Sequence, residues 1–440
     1  MALIKMILLL MTIQILETFS STAPHAITLQ LIHRYSIFSP FYDKNISIAD
    51  RWNNELKSSQ TRVEYLQAMI NVRRSMSKSG VTTLLFPYPG LTFLTEAYIG
   101  NPRIRQYFMM DTGSDLLWVR STLCNKCKFN FSNIYDPSLS LTMRKVQCYT
   151  PVCINFQSNA ICNPAEENPL CHFDIEYADG MSVFGNLALE RFTFVTPNKI
   201  IQLVPNITFG YATGISRDNM YGIHGIIGLQ ATNPYALVSL FGRKFSYCIG
   251  SIRDSDYKYN HLSLGSAAVL QGYSTPTKIN YGGYHLVTVE GISLGQKQLE
   301  IDENKYKSNV VIDSGSTFSY VEEIGYESIL DEVDNLMDGI LNSVNIGDNE
   351  LCYLGNIDGD LQGFPLLTFH FSERADLEIG VDGIFYPFNE TIFCLAIRRK
   401  IGIKYPNIIG VLAQQYYNVG FDLDDNRIYF RNIDCDALEP

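Results

Sequence analysis

The chain has 440 residues, 46% hydrophobic and 12% aromatic, which exceeds one ordinary domain and supplies enough apolar surface for sizeable cores, so disorder is not expected. A formal net charge of -11 argues against nucleic acid as a partner. With Tyr 27, Phe 25 and Gly 31 spread through many short apolar runs, the composition favours a mostly β chain over a helical one.

Residues 1–23 carry Lys5, an apolar block over 6–15 and small residues around Phe19, Ser20, Ser21, Thr22 and Ala23. That is the composition of a secretory signal peptide, too short for a membrane span. Nothing later offers eighteen consecutive apolar residues, and the polar end at 434–440 carries neither a GPI-type tail nor an ER-retention tetrapeptide. The expectation is a protein without a membrane anchor, secreted to the extracellular space or delivered to a vacuole or another acidic lumen.

Residues 24–80 differ in charge from the rest of the chain. Arg34, Lys44, Arg51, Lys57, Arg62, Arg73, Arg74 and Lys78 stand against Asp43, Asp50, Glu55 and Glu64, a net +4, which leaves -15 for residues 81–440. Opposite charges on leader and body suggest a pro-segment held partly by electrostatics and released when the body's carboxylates are protonated. A solvated helix or a mobile arm is the plainer alternative.

The body is dominated by a tetrapeptide that occurs twice, Asp111-Thr112-Gly113-Ser114 and Asp313-Ser314-Gly315-Ser316. Apolar runs at 107–110 and 310–312 read as buried strands that deliver each Asp to a tight turn, with Gly permitting the turn and hydroxyl residues able to orient a carboxylate. One such turn is usually only a loop. Here each copy is followed by a second signal, Ile226-Ile227-Gly228 and Ile408-Ile409-Gly410, so the order of two elements is duplicated at long range.

On those motifs the chain resembles the pepsin-like aspartic proteases, and within them the nepenthesin-like group of plants. The resemblance covers roughly residues 88–435, and the segment LIHRYSIFSPFYDKNIS is similar to that group's leaders. It implies a bilobal, mostly β fold with the active site between two related lobes, 81–270 and 284–440, the boundary falling in the Tyr-, Gly- and Thr-rich stretch 271–284. It implies catalysis by Asp111 and Asp313, support from Thr112, Gly113, Ser114, Ser314, Gly315 and Ser316, polypeptide substrates, a pro-segment partner and a monomer. Two nearby carboxylates share one proton and activate a water, aspartic proteases being the standing example of such a pair, and neither cofactor nor metal is needed.

Between the motifs, Ala178-Asp179-Gly180 marks a hairpin tip. By resemblance it is the flap, with Tyr177 over the cleft and bonded to Trp118, although Ala178 and Met181 stand where the family usually has Gly and Ser. Val411 likewise stands where the family usually has Asn after the second Ile-Ile-Gly.

The ten cysteines, an even number behind a signal peptide, read as five disulfides. Cys124 and Cys127 lack the second pair that a zinc site needs. Resemblance suggests Cys124 with Cys127, Cys148 with Cys171, Cys153 with Cys162, Cys248 with Cys435 and Cys352 with Cys394. Ser121 and Tyr211 replace a further family pair, so no thiol is orphaned.

Sequons at Asn45, Asn130, Asn206 and Asn389 are candidate glycan sites, the first lost with the leader. Residues 322–344 have helical apolar spacing and read as scaffold. His33, His224, His261 and His285 show no metal-ligand spacing. A catalytically inactive relative that binds or inhibits another enzyme, as some xylanase inhibitors of this fold do, is the alternative in a different class. A two-carboxylate glycosidase does not call for the duplicated turns.

Overall fold

A computed structural model describes residues 25–75, 93–127, 133–156, 160–162, 169–176, 182–216, 222–279, 284–302, 304, 310–346, 351–400 and 406–438. The signal segment, residues 76–80 of the leader, Asn130, Tyr177, Ala178 and Met181 lie outside them. The fold is mostly β and bilobal. Short β-branched and aromatic runs between Gly and Asx turns form a ten-stranded sheet in the first half and two four-stranded sheets in the second. An eleven-stranded sheet joins the halves: first-half strands His261–Gly265 and Lys244–Ile249 are followed by Tyr417–Asp422 near the C-terminus. Cys248–Cys435 pins that junction.

The leader is built into this sheet. Its strand Ala26–Gln30 pairs antiparallel with His261–Gly265 in unbroken register, and Ile27 and Leu29 are buried beneath it. A short strand, Ile32–His33, then pairs antiparallel with Phe93–Ile99 of the first-half sheet, and a helix, Ile48–Ser75, follows.

The structure adds to one expectation and corrects two. Within the stretch 271–284, Tyr273–Ile279 is a strand paired with Arg427–Asn432 and His285–Val287. Thr275 and Thr277 turn inward there, so the period-two placement of small β-branched residues wins over the turn-like composition. The helix expected over 322–344 is Glu323–Met337, buried through Tyr326, Ile329, Val333 and Met337. Gly339, at φ +72°, supplies the left-handed residue that commonly follows a helix C-terminus, and Ile340 beyond it is exposed.

The second correction concerns the disulfides. All ten cysteines are paired, but the bridges in the insertion are Cys148–Cys162 and Cys153–Cys171, not Cys148 with Cys171 and Cys153 with Cys162. The hairpin register Ile161↔His172 sets Cys162 opposite Cys171, so each reaches out of the hairpin to a different partner. Cys153 and Cys162 come within 3.7 Å all the same, which is why spacing alone does not separate the two schemes. Mapping of peptides under non-reducing conditions is expected to recover a Cys148–Cys162 link and a Cys153–Cys171 link; a Cys148–Cys171 peptide would contradict the fold of this insertion.

Candidate active site

The strand Ile104–Asp111 lies parallel to Gly225–Gly228 with Asp111 opposite Gly228, and Val310–Ile312 lies parallel to Asn407–Ile409. Each chain turns at its Asp, and the turn packs on the glycine that ends the partner strand's Ile-Ile-Gly. A Cβ on Gly228 would sit 2.6 Å from the Ser114 carbonyl oxygen, and one on Gly410 would sit 2.3 Å from that of Phe318. Only glycine allows that approach. Backbone bonds then tie the loops in matching fashion, Gln230 N–H to Ser114 C=O at 2.9 Å and Val411 N–H to Ser316 C=O at 2.7 Å.

The two aspartates are fully buried, at 0% exposure. Ser114 Oγ donates to Asp111 Oδ2 at 2.6 Å, and Ser316 Oγ donates to Asp313 Oδ2 at 2.6 Å. The amides of Gly113 and Gly315 reach the corresponding Oδ1 atoms at 2.9 and 3.2 Å. Across the lobes, the Ser314 amide donates to Thr112 Oγ1 at 3.1 Å and the Thr112 amide to Ser314 Oγ at 3.3 Å. These reciprocal bonds hold one turn against the other, so all eight residues of the duplicated motif converge.

Between the carboxylates lies Arg62 of the leader helix. Its Nη2 donates to Asp111 Oδ1 at 2.7 Å and to Asp313 Oδ1 at 2.8 Å, while Nε donates to Asp313 Oδ2 at 2.9 Å. The two Oδ1 atoms are therefore no farther apart than the sum of the Nη2 distances, 5.5 Å. Burial alone would lower the Arg62 pKa, but the charges of Asp111 and Asp313 outweigh it and hold the guanidinium well above its ordinary range. Burial alone would raise the Asp313 carboxyl; Arg62, the Ser316 hydroxyl and the Gly315 amide outweigh it and hold it below the ordinary range.

Sequence reasoning counted Arg62 only as one of the leader's positive charges and missed its place between the aspartates. Lys44 and Lys57 of the same segment are exposed, whereas Arg62 is the leader cation that reaches the two aspartates. The signal that could have found Arg62 is the three- and four-residue spacing of Trp52, Glu55, Ser59 and Arg62, which puts them on one helical face.

Sequence reasoning also missed Gln414. Its Nε2 donates to the carbonyls of Ile409 at 2.9 Å and Asp313 at 3.4 Å, and its Oε1 accepts from Tyr247 Oη at 2.6 Å, all buried. Polar support near the second turn therefore comes from a residue three positions beyond Val411. Trp118 is buried opposite Ile226, at the start of the strand Trp118–Asn125. The strands His172–Glu176 and Ser182–Val195 pair as far as Glu176↔Ser182, so the expected hairpin brackets 177–181. Asn206 is exposed, and Asn389 is half-buried with its Oδ1 accepting from the Thr391 amide at 2.9 Å. The four histidines are buried; desolvation lowers His33 to about 3 and His224 and His285 to about 4. They are neutral core residues.

The family models described as xylanase inhibitor N-terminal and C-terminal match residues 93–266 and 284–432. An aspartyl protease of Arabidopsis thaliana named UND is 32% identical over 79% of this chain and 86% of its own length. The chain belongs to the pepsin-like aspartic protease family. Aspartic proteinase nepenthesin-1 of Nepenthes gracilis is 27% identical over 90% of this chain and 88% of that protein. Among solved structures, one titled edgp has a TM-score of 0.65 at 14% identity and covers 94% of this chain and 96% of its own, a likeness of fold alone.

Gln414→Leu is expected to cost about 1–3 kcal/mol in urea unfolding, because the buried Tyr247 hydroxyl loses its acceptor. Adding Tyr247→Phe should recover part of that loss, since removing both partners is milder than removing one. An additive double variant would contradict the pairing.

Proposed function

We propose that this chain is a secreted aspartic endopeptidase, made as a zymogen, that hydrolyses peptide bonds at acidic pH by general acid–base activation of a water between Asp111 and Asp313. One observation carries the reading: two fully buried carboxylates, supported alike by their own turns, converge on a single guanidinium. With the cation withdrawn, like charges so close cannot both ionise cheaply, and the pair keeps one proton. The ionised member takes a proton from the water while its oxygen attacks the scissile carbonyl carbon, and the protonated member donates to the carbonyl oxygen. Collapse of the tetrahedral intermediate returns that oxygen to a carbonyl and passes a proton to the leaving amine. Ser114 and Ser316 hold the Oδ2 atoms, which leaves the Oδ1 pair directed at the reaction. An extended substrate would lie between the lobes beneath the 177–181 tip, with Tyr177 as its lid.

The leader is the inhibitor in this reading, and Arg62 is its plug. Asp313 has its pKa lowered in the plugged state, so the attachment it provides is complete above the ordinary carboxylate value and is lost as pH falls through the lowered one. Release therefore belongs below about pH 4, the ordinary carboxylate range. A signal peptide at 1–23, action as a monomer in an extracellular or vacuolar acidic lumen, and glycans at Asn130, Asn206 and Asn389 complete the proposal.

Acid-treated protein is expected to digest denatured globin, a statine-type inhibitor to stop it, and Asp111→Asn or Asp313→Asn each to abolish it. The inactive-binder reading draws on the family models' own description as xylanase inhibitor domains. Undiminished digestion by either Asn variant, or no digestion at any acidic pH, would favour it. Arg62→Gln is expected to move leader loss, tracked by gel mobility across a pH series, upward by about one pH unit or more, because the dyad no longer has a cation to hold it ionised. An unshifted profile would remove Arg62 from the switch.

A further inference from the structure

The face of the leader helix that carries Arg62 makes three further contacts with the body, all beyond the dyad. Ser59 Oγ accepts from the amides of Thr317 at 2.9 Å and Phe318 at 3.2 Å. Glu55 Oε2 accepts from Thr317 Oγ1 at 2.6 Å. Trp52, 1% exposed, fills an aromatic cage: ring centroids lie 5.2 Å from Phe318, 5.6 Å from Tyr386 and 6.3 Å from Phe388. The guanidinium of Arg398 stands 5.8 Å from the Trp52 ring. The body thus offers, in a line leading away from the second catalytic turn, two backbone donors, one hydroxyl and an aromatic seat.

We propose that the seat occupied by Trp52 binds an aromatic side chain of the substrate once the leader has gone. This rests on the protease reading and names a feature of the substrate. Trp52 belongs to the segment that departs, whereas the walls belong to the body, so departure strips a large planar side chain from three aromatic faces. A Trp or Tyr ring restores those edge and tilted contacts, and the overlying guanidinium favours electron-rich rings over aliphatic side chains. The Thr317 and Phe318 amides, now taken by a hydroxyl oxygen, suit a peptide carbonyl as acceptor, which is how an extended chain is held by backbone.

The spacing comes from helix geometry. Trp52 and Arg62 are ten residues apart, roughly 15 Å along the axis at ~1.5 Å per residue. An extended chain covers that distance in about four to five residues at ~3.3 Å each. The preferred aromatic therefore lies about that far from the scissile bond, on one side of it.

Acid-treated full-length protein is assayed with peptides that share one scissile pair and carry Trp, Leu or Ala at the fourth or fifth residue on either side. Trp is expected to raise kcat/KM about tenfold over Ala on one side only, chiefly through KM, with Leu between them. Phe388→Ala should bring the Trp-to-Ala ratio toward one, and Arg398→Gln should narrow the ratio of Trp to Leu. Cleavage with equal kcat/KM for Trp and Ala at all four positions overturns the seat. Competition of the same peptides against a fluorescent peptide of residues 48–75 separates the two readings. No cleavage but tenfold tighter binding of a Trp peptide overturns the protease reading and keeps the seat, whereas equal binding of Trp and Ala peptides overturns the seat.

Discussion

Two carboxylates buried in one place and aimed at one point need either a shared proton or a cation. In this structure the need is met by Arg62, with three donated bonds to Asp111 and Asp313. Removing one partner of such a buried group costs about 3–5 kcal/mol. Exposed pairs such as Arg243 with Asp424 contribute at most about 1 kcal/mol. The seating of the leader helix on the body is therefore marked by the contacts of Arg62 with the two aspartates and of Trp52 with its aromatic neighbours.

The leader is fastened by two kinds of interaction. The strand Ala26–Gln30 is held by backbone pairing to His261–Gly265 and by buried Ile27 and Leu29, none of which titrates. The helix is held near its centre by the ion pairs of Arg62 with Asp111 and Asp313. The first attachment rests on no ionisable group and the second is made of three. The sheet that takes in the leader strand carries strands of both lobes, which joins them on the far side while Thr112 and Ser314 tie the two Asp turns at the site.

Legibility in the sequence varied with the range of the interaction. Strands leading to Asp111 and Asp313, the turns after them and the duplicated Ile-Ile-Gly elements were readable, because each is a local pattern of apolar run, Gly and short hydroxyl residue. The purpose of Gly228 and Gly410 was not, since it lies in the approach of another loop's carbonyl. The strand at Tyr273–Ile279 was hidden by its turn-like composition, and the helix end was overrun because Ile340 and Leu341 keep the apolar spacing past Gly339.

The sequence by itself determined the mostly β character, the two Asp turns, their common ancestry of pattern and the use of all ten cysteines in pairs. Tertiary structure alone decided which cysteine meets which in the insertion, which of the leader's cations enters the dyad and which polar side chain supports the second turn. The division has a physical cause. Periodicity and turn chemistry are properties of neighbouring residues, whereas a buried ion pair or a choice between two disulfides set by hairpin register exists only once distant segments share the same few ångströms.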